Sequence, residues 1–222
     1  MDILPLSPYS ISFPNPLQAC DEGLLAYGGD LSANRIMKGY SLGIFPWFKK
    51  NDPILWWSPN PRFVLNLDDF KVSKSLNKTI KKGIFEVKFN TNFEAVIKNC
   101  SNAKRVDQEG SWITDEMIEA YKELHSLGYA HSFESYFEDQ LVGGGYGVVI
   151  GDIFCGESMF TKKSDASKVA FVSLVKRLKK NGFSLIDSQI YTELFASFGA
   201  KEIPRDEYLF LVKEALSKPR DF

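Results

Sequence analysis

The chain has 222 residues, room for one large core or for a small domain beside a medium one, and its 44% hydrophobic and 25% charged residues are those of a soluble globular protein. A net charge of −1 excludes a globally basic nucleic-acid binder, so any RNA-binding surface has to be a local patch. Three scattered cysteines with no CxxC pair, and only two histidines, argue against a structural zinc site and fit free thiols in a reducing, cytoplasmic compartment.

The chain opens Met-Asp-Ile-Leu-Pro, with no basic region before an apolar run, which predicts no signal peptide. No apolar stretch approaches the ~20 residues of a membrane span. The first thirty residues, rich in Pro and Gly, read as irregular. Ser32 is a good N-cap, Ile36, Met37 and Tyr40 follow at helical spacing, and Gly43 closes the helix. Two Pro/aromatic clusters come next, Gly43–Phe48 and Ile54–Pro59, and their prolines argue against central strands. Residues 1–62 read as a small aromatic-rich domain, and residues 63–222 as a larger one.

Lys71, Lys74, Lys78, Lys81 and Lys82 fall on one face of a predicted helix. Such a face is most often merely solvated, and the functional alternative is a track for a phosphate backbone. A strand over 84–89 and a short helix from Phe93 follow. Thr114 caps a longer helix whose buried stripe is Met117, Ile118, Tyr121 and Leu124. Strands are predicted near 130–137, 140–149 and 152–160, joined by tight turns. A helix from about Asp165 to Gly182, a strand from Phe183 to Gln189, and helices from Thr192 and Pro204 complete the chain. This order predicts a mixed α/β (α+β) fold around a mostly antiparallel sheet. Three strands, a helix and a strand is also the pattern of a GNAT acyltransferase.

Few residues invite chemistry. Asp187 sits in an apolar strand, where an unpaired carboxylate is costly, and alternation puts Gln189 on the same face. The structural alternative is an Asp that accepts backbone amides at a strand end. Glu157 shares a strand face with Met159, as would a polar anchor beside an apolar pocket, or a carboxylate on a water-facing edge. Gly143–Gly147 is followed by Val148-Val149-Ile150 and not by a helix. It reads as a bulged strand with close backbone approach, not a phosphate cradle. His125 and His131 read as structural.

Several strings together resemble one bacterial family, the leucyl/phenylalanyl-tRNA–protein transferases. They are Leu24–Leu31, Gly43–Phe48, Asp52–Pro59 with Pro61-Arg62, Ser111–Thr114, Gly128–Ser132, Leu141–Gly144, Phe154–Phe160, Ala166–Lys168, Leu185–Asp187 and Ile203–Arg205. The resemblance implies a small N-terminal domain followed by a GNAT-like domain. It implies transfer of Leu or Phe, and less efficiently Met, from aminoacyl-tRNA to the α-amine of proteins beginning with Arg or Lys. The product is marked for degradation by the N-end rule pathway. Neither cofactor nor metal nor membrane is implied, because an aminoacyl ester is already activated. Matched by position, Asp187 orients Gln189 and the incoming amine, Gln189 guides proton movement, and Glu157 holds the donor α-amino group. The family match leaves open whether Asp187 is a base or a positioner. Trp47 and Tyr121 pack around the 3′-terminal adenosine. Phe154, Met159, Phe171 and Ile186 line the side-chain pocket, although strict alternation turns Ile186 away from Asp187's face. Lys74, Lys78 and Lys82 meet the acceptor stem. Gly145 and Phe171 stand where the family has Met and Leu, a change of bulk that bears on side-chain preference by ~1–3 kcal/mol. A cell-wall aminoacyltransferase, a non-catalytic RNA-binding module and an acetyl-coenzyme A enzyme are the rival readings.

Overall fold

The computed structural model describes residues 3–103 and 111–222. In chain order the strands and helices are β1 (Leu4–Leu6), β2 (Leu24–Gly28), α1 (Ala33–Tyr40), β3 (Phe45–Pro46), β4 (Leu55–Trp57) and β5 (Arg62–Asn66). Next come α2 (Lys74–Lys81), β6 (Glu86–Phe89), α3 (Phe93–Ser101), α4 (Asp115–Ser126), β7 (Ala130–Phe137), β8 (Gln140–Ile150) and β9 (Ile153–Thr161). The chain finishes with α5 (Ala166–Lys180), β10 (Leu185–Asp187), α6 (Glu193–Ser197), β11 (Lys201–Ile203) and α7 (Arg205–Ala215). No described helix is long and apolar enough to cross a membrane.

The first four strands form a small sheet ordered β1-β2-β4-β3. Pro46 lies on the edge strand β3, where its missing N–H costs no ladder bond. Trp56, fully buried on the interior strand, donates its indole N–H to the Gly28 carbonyl at 2.9 Å. Helix α1 begins as expected, with the Ser32 hydroxyl accepting from the Arg35 amide.

The remaining strands form a seven-stranded sheet ordered β11-β5-β10-β9-β8-β7-β6. Only β9 and β10 run parallel in it, so the fold is the expected mixed α/β with a mostly antiparallel sheet. Arg62 opens β5 and therefore belongs to this second sheet. Alternation along β9 divides the core. Ile153 and Cys155 pack with α3, α4 and the small sheet, while Phe154 packs with α5 on the other face.

The glycine run is part of β8, which carries a register shift between Tyr146 and Gly147. A Cβ on Gly143 would come within 2.6 Å of the Ser167 amide nitrogen, so α5 approaches the strand through this gap.

Several elements differ from the sequence pattern. The first thirty residues, expected to be irregular, contribute β1 and β2, β4 is an interior strand because the prolines lie outside Leu55–Trp57, and β11 was not expected. The lysine helix starts only at Lys74, because Ser73 caps it through the Leu76 amide, so Lys71 precedes the helix and Lys82 is its C-cap. Strand β10, expected to run from Phe183 to Gln189, spans only Leu185–Asp187, and Gln189 adopts a left-handed conformation with φ +61°. Asp187 and Gln189 therefore do not share the face of one extended strand.

Candidate active site

The cavity arises from a parting of parallel strands. β10 pairs with β9 only from Leu185 opposite Ile153 to Asp187 opposite Cys155. Beyond that point the two chains separate, and a cavity of about 430 Å³ opens between Gly156–Met159 and Ser188–Ile190. Trp47, Phe154, Met159, Phe171, Glu157 and Gln189, all expected at the site, line it. Phe133, Tyr146 and Trp112 line it too, although the sequence did not single them out for this role. Gly145 lies beneath Phe133 and Met159. A Cβ there would sit 2.6 Å from the Phe133 ring and 2.7 Å from Met159 Cγ, so those two side chains fill the space above the glycine.

The polar end of the cavity is a hydrogen-bonded chain. The Gln189 side-chain amide donates to Glu157 Oε1 at 3.3 Å. The Tyr121 hydroxyl donates to Glu157 Oε2 at 3.2 Å and meets the Tyr40 hydroxyl at 2.6 Å. The Gln189 backbone N–H donates to Asp187 Oδ1 at 3.0 Å, while its carbonyl accepts from the Phe63 amide. Left-handed backbone in a non-glycine residue costs about 1–3 kcal/mol, and here both peptide groups of Gln189 are tied. Asp187 is itself sealed. Arg62 grips it with Nε at 2.8 Å and Nη2 at 2.6 Å, and the Tyr208 hydroxyl donates to Oδ2 at 2.8 Å. The Arg62 guanidinium lies 4.3 Å from the Tyr208 ring centroid and donates to the Gly43 carbonyl.

These surroundings set the charges. Burial pushes the Glu157 carboxyl up to about 7, with the Asp187 charge raising it further and the Tyr40 and Tyr121 hydroxyls and Arg62 pulling it down. Burial alone would lower Arg62, but the Asp187 carboxylate prevails and holds the guanidinium above its ordinary value. The Cys155 thiol is pushed up, chiefly by burial, so it stays protonated and is no nucleophile. Among the described residues no group of three His, Cys, Asp or Glu is placed to hold a metal ion. His125 donates its Nδ1–H to the Ala130 carbonyl and stacks on Phe93, a structural setting.

Three expected residues lie behind the cavity wall. Tyr121 is fully buried because its face of α4 turns to the sheet, and it reaches the site through its hydrogen bond to Glu157 and its edge-on contact with the Tyr146 ring. Ile186 alternates away from Asp187, as strand geometry requires, and is buried in the core beside α5. Asp187 has no exposed surface and reaches the cavity through Gln189. Lys74, Lys78 and Lys82 are all exposed. The Thr79 hydroxyl, in the last turn of α2, bonds Asp165 just before α5. The missed residues Arg62, Tyr208 and Tyr40 gave a partial signal, since Arg62 is a lone charge in the apolar run Arg62-Phe63-Val64-Leu65.

Comparison with known proteins agrees along nearly the whole chain. Residues 64–213 match the family described as leucyl/phenylalanyl-tRNA protein transferase, and residues 29–60 match its N-terminal domain. A leucyl/phenylalanyl-tRNA–protein transferase of Sulfurimonas denitrificans is 55% identical over 201 residues, covering 90% of this chain and 87% of that one. One of Flavobacterium psychrophilum is 52% identical, covering 92% and 97%. Among solved structures, FemX is similar at TM-score 0.49 and 10% identity, covering 78% of this chain and 69% of that one. This chain belongs to the leucyl/phenylalanyl-tRNA–protein transferase family and is an aminoacyltransferase.

Proposed function

We propose that the cavity takes the aminoacyl end of Leu-tRNA or Phe-tRNA, and Met-tRNA less well, and that the acceptor is the α-amine of a protein beginning with Arg or Lys. The observation that carries this reading is one ionisable acid, Glu157, at the polar end of a cavity lined mainly by aromatic and aliphatic side chains. An apolar side chain fits the aromatic part, and the donor α-ammonium fits the acid. In the reaction a bond forms between the acceptor nitrogen and the ester carbonyl carbon. The ester C–O bond then breaks, and the amine proton passes to the departing ribose oxygen.

An α-amine with an ordinary pKa of about 7.7–8.0 is partly neutral near pH 7, and the ester is activated. Placement therefore supplies most of the catalysis. With its amide nitrogen on Glu157, Gln189 is left with a carbonyl oxygen to receive the incoming amine. Asp187 acts one step back, as the positioner of Gln189 and not as the base. Trp47, braced by Trp57 at 5.5 Å between ring centroids, offers a surface for the terminal adenine, where stacking is worth ~1–3 kcal/mol. The exposed Lys74, Lys78 and Lys82 serve as a phosphate track for the acceptor stem. Residues 1–62 and 63–222 act as two domains whose junction frames the site. The setting is the cytoplasm, where the new N-terminal Leu or Phe feeds the N-end rule pathway.

The test is transfer of labelled Leu or Phe from charged tRNA to a protein with N-terminal Arg or Lys, against a control with N-terminal Gly. Transfer confined to Arg and Lys supports the reading. Equal transfer to Gly removes the acceptor assignment.

A further inference from the structure

The segment Arg220–Phe222 lies beyond the last helix, yet it is fastened to the end of α5. Arg220 donates from Nε to the Gly182 carbonyl at 3.1 Å, and Asn181 donates to the Asp221 carbonyl at 3.1 Å. Arg177 donates to the Phe222 carbonyl oxygen at 2.9 Å and lies 5.0 Å from the Phe222 ring centroid. The ring stacks on His131 at 4.2 Å and 12°, and meets Phe89 edge-on. Burial pushes His131 down to about 4, so the imidazole under the ring is uncharged at neutral pH.

The neighbour of consequence is Phe154, whose ring is 5.9 Å from that of Phe222 at 29°. Phe154 is fully buried and forms one wall of the cavity. A Cβ on Gly147 would come within 2.5 Å of the Phe154 ring, so the backbone of β8 closes that flank. Phe133 closes another at 6.5 Å. Phe222 thus backs a wall that is hemmed in by backbone and by a second aromatic ring.

We propose that Phe222 is a positioning residue for donor selectivity, holding Phe154 forward and so limiting the depth of the side-chain pocket. This rests on the reading of the cavity as the donor pocket. Removing the backing ring opens space behind Phe154, into which it retreats, and the deeper pocket then favours the longer donor side chain.

The experiment compares kcat/KM for Phe-tRNA and Leu-tRNA in the full chain and in Phe222→Ala, Phe222→Leu and Met159→Ala, with thermal melts alongside. The expected result for Phe222→Ala is a Phe/Leu ratio raised by about tenfold through KM, with kcat nearly unchanged. Phe222→Leu, which refills most of the space, restores the parental ratio. An equal loss for both donors, or an unchanged ratio, overturns the proposal and leaves Phe222 a stability residue. Met159→Ala separates the two failures. If it shifts the ratio and Phe222→Ala does not, only the backing role is lost. If neither variant shifts it, the cavity is not the donor pocket and the inference goes with it.

Discussion

Arg62 and Asp187 lie 125 positions apart and meet as a two-pronged ion pair with no exposed surface to speak of, at 2.8 and 2.6 Å. The pair joins the first strand of the large sheet to the strand end from which Gln189 departs. Breaking a buried pair by removing one partner costs about 3–5 kcal/mol, because the survivor is left charged and unpaired. Asp187→Ala is therefore expected to lose that much stability in a urea melt, together with transfer activity. A variant that keeps parental stability would mean the pair is not closed in solution.

Much of this arrangement was legible beforehand, and the reasons are local. Ser32 and Thr114 cap helices through short-range bonds that spacing reveals, and alternation with turn residues marks the three long strands. What periodicity does not contain is the partner of a buried charge. Asp187 was visible as a costly residue in an apolar strand, but its pairing with Arg62 depends on β5 and β10 becoming neighbours. The left-handed turn at Gln189 was hidden for a similar reason. It is held by the Asp187 carboxylate and the Phe63 amide, and no glycine announces it. Tyr121 was placed at the site by resemblance, whereas its helical stripe alone indicated burial.

The pKa of Glu157 makes stability depend on pH. The folded value is about 7, against 4.5 for the free side chain. Between those values the folded protein holds a proton that the unfolded chain has released, so stability falls as pH rises from 4.5 to 7. At pH 8 the accumulated cost is on the order of 3 kcal/mol. Glu157→Gln removes it, so the variant is expected to melt higher than the parent at pH 8 and at about the same temperature at pH 4. A variant that melts lower at pH 8 would show that the carboxylate is stabilised by contacts with groups other than those described.

Tyr40 tunes that acid from the small sheet's side of the site. Its hydroxyl lowers the Glu157 pKa, so Tyr40→Phe raises it. The affinity of a non-hydrolysable aminoacyl-adenosine amide should rise with pH through about 7, and this limb should move to higher pH in Tyr40→Phe. A limb that stays in place severs Tyr40 from Glu157.

The lysines of α2 have a signature in salt. If three of them touch phosphates, replacing Lys74, Lys78 and Lys82 together should reduce the slope of log K against log salt by about 3. An unchanged slope returns the helix to an ordinary solvated face.

The most direct test of the account is single-turnover transfer by Gln189→Ala, read beside its melting curve. Gln189 meets the cavity, and its backbone bonds do not depend on its side chain. The expected result is a rate reduced by about 10²-fold or more with the melting temperature nearly unchanged. Full transfer activity in a folded Gln189→Ala protein would contradict it.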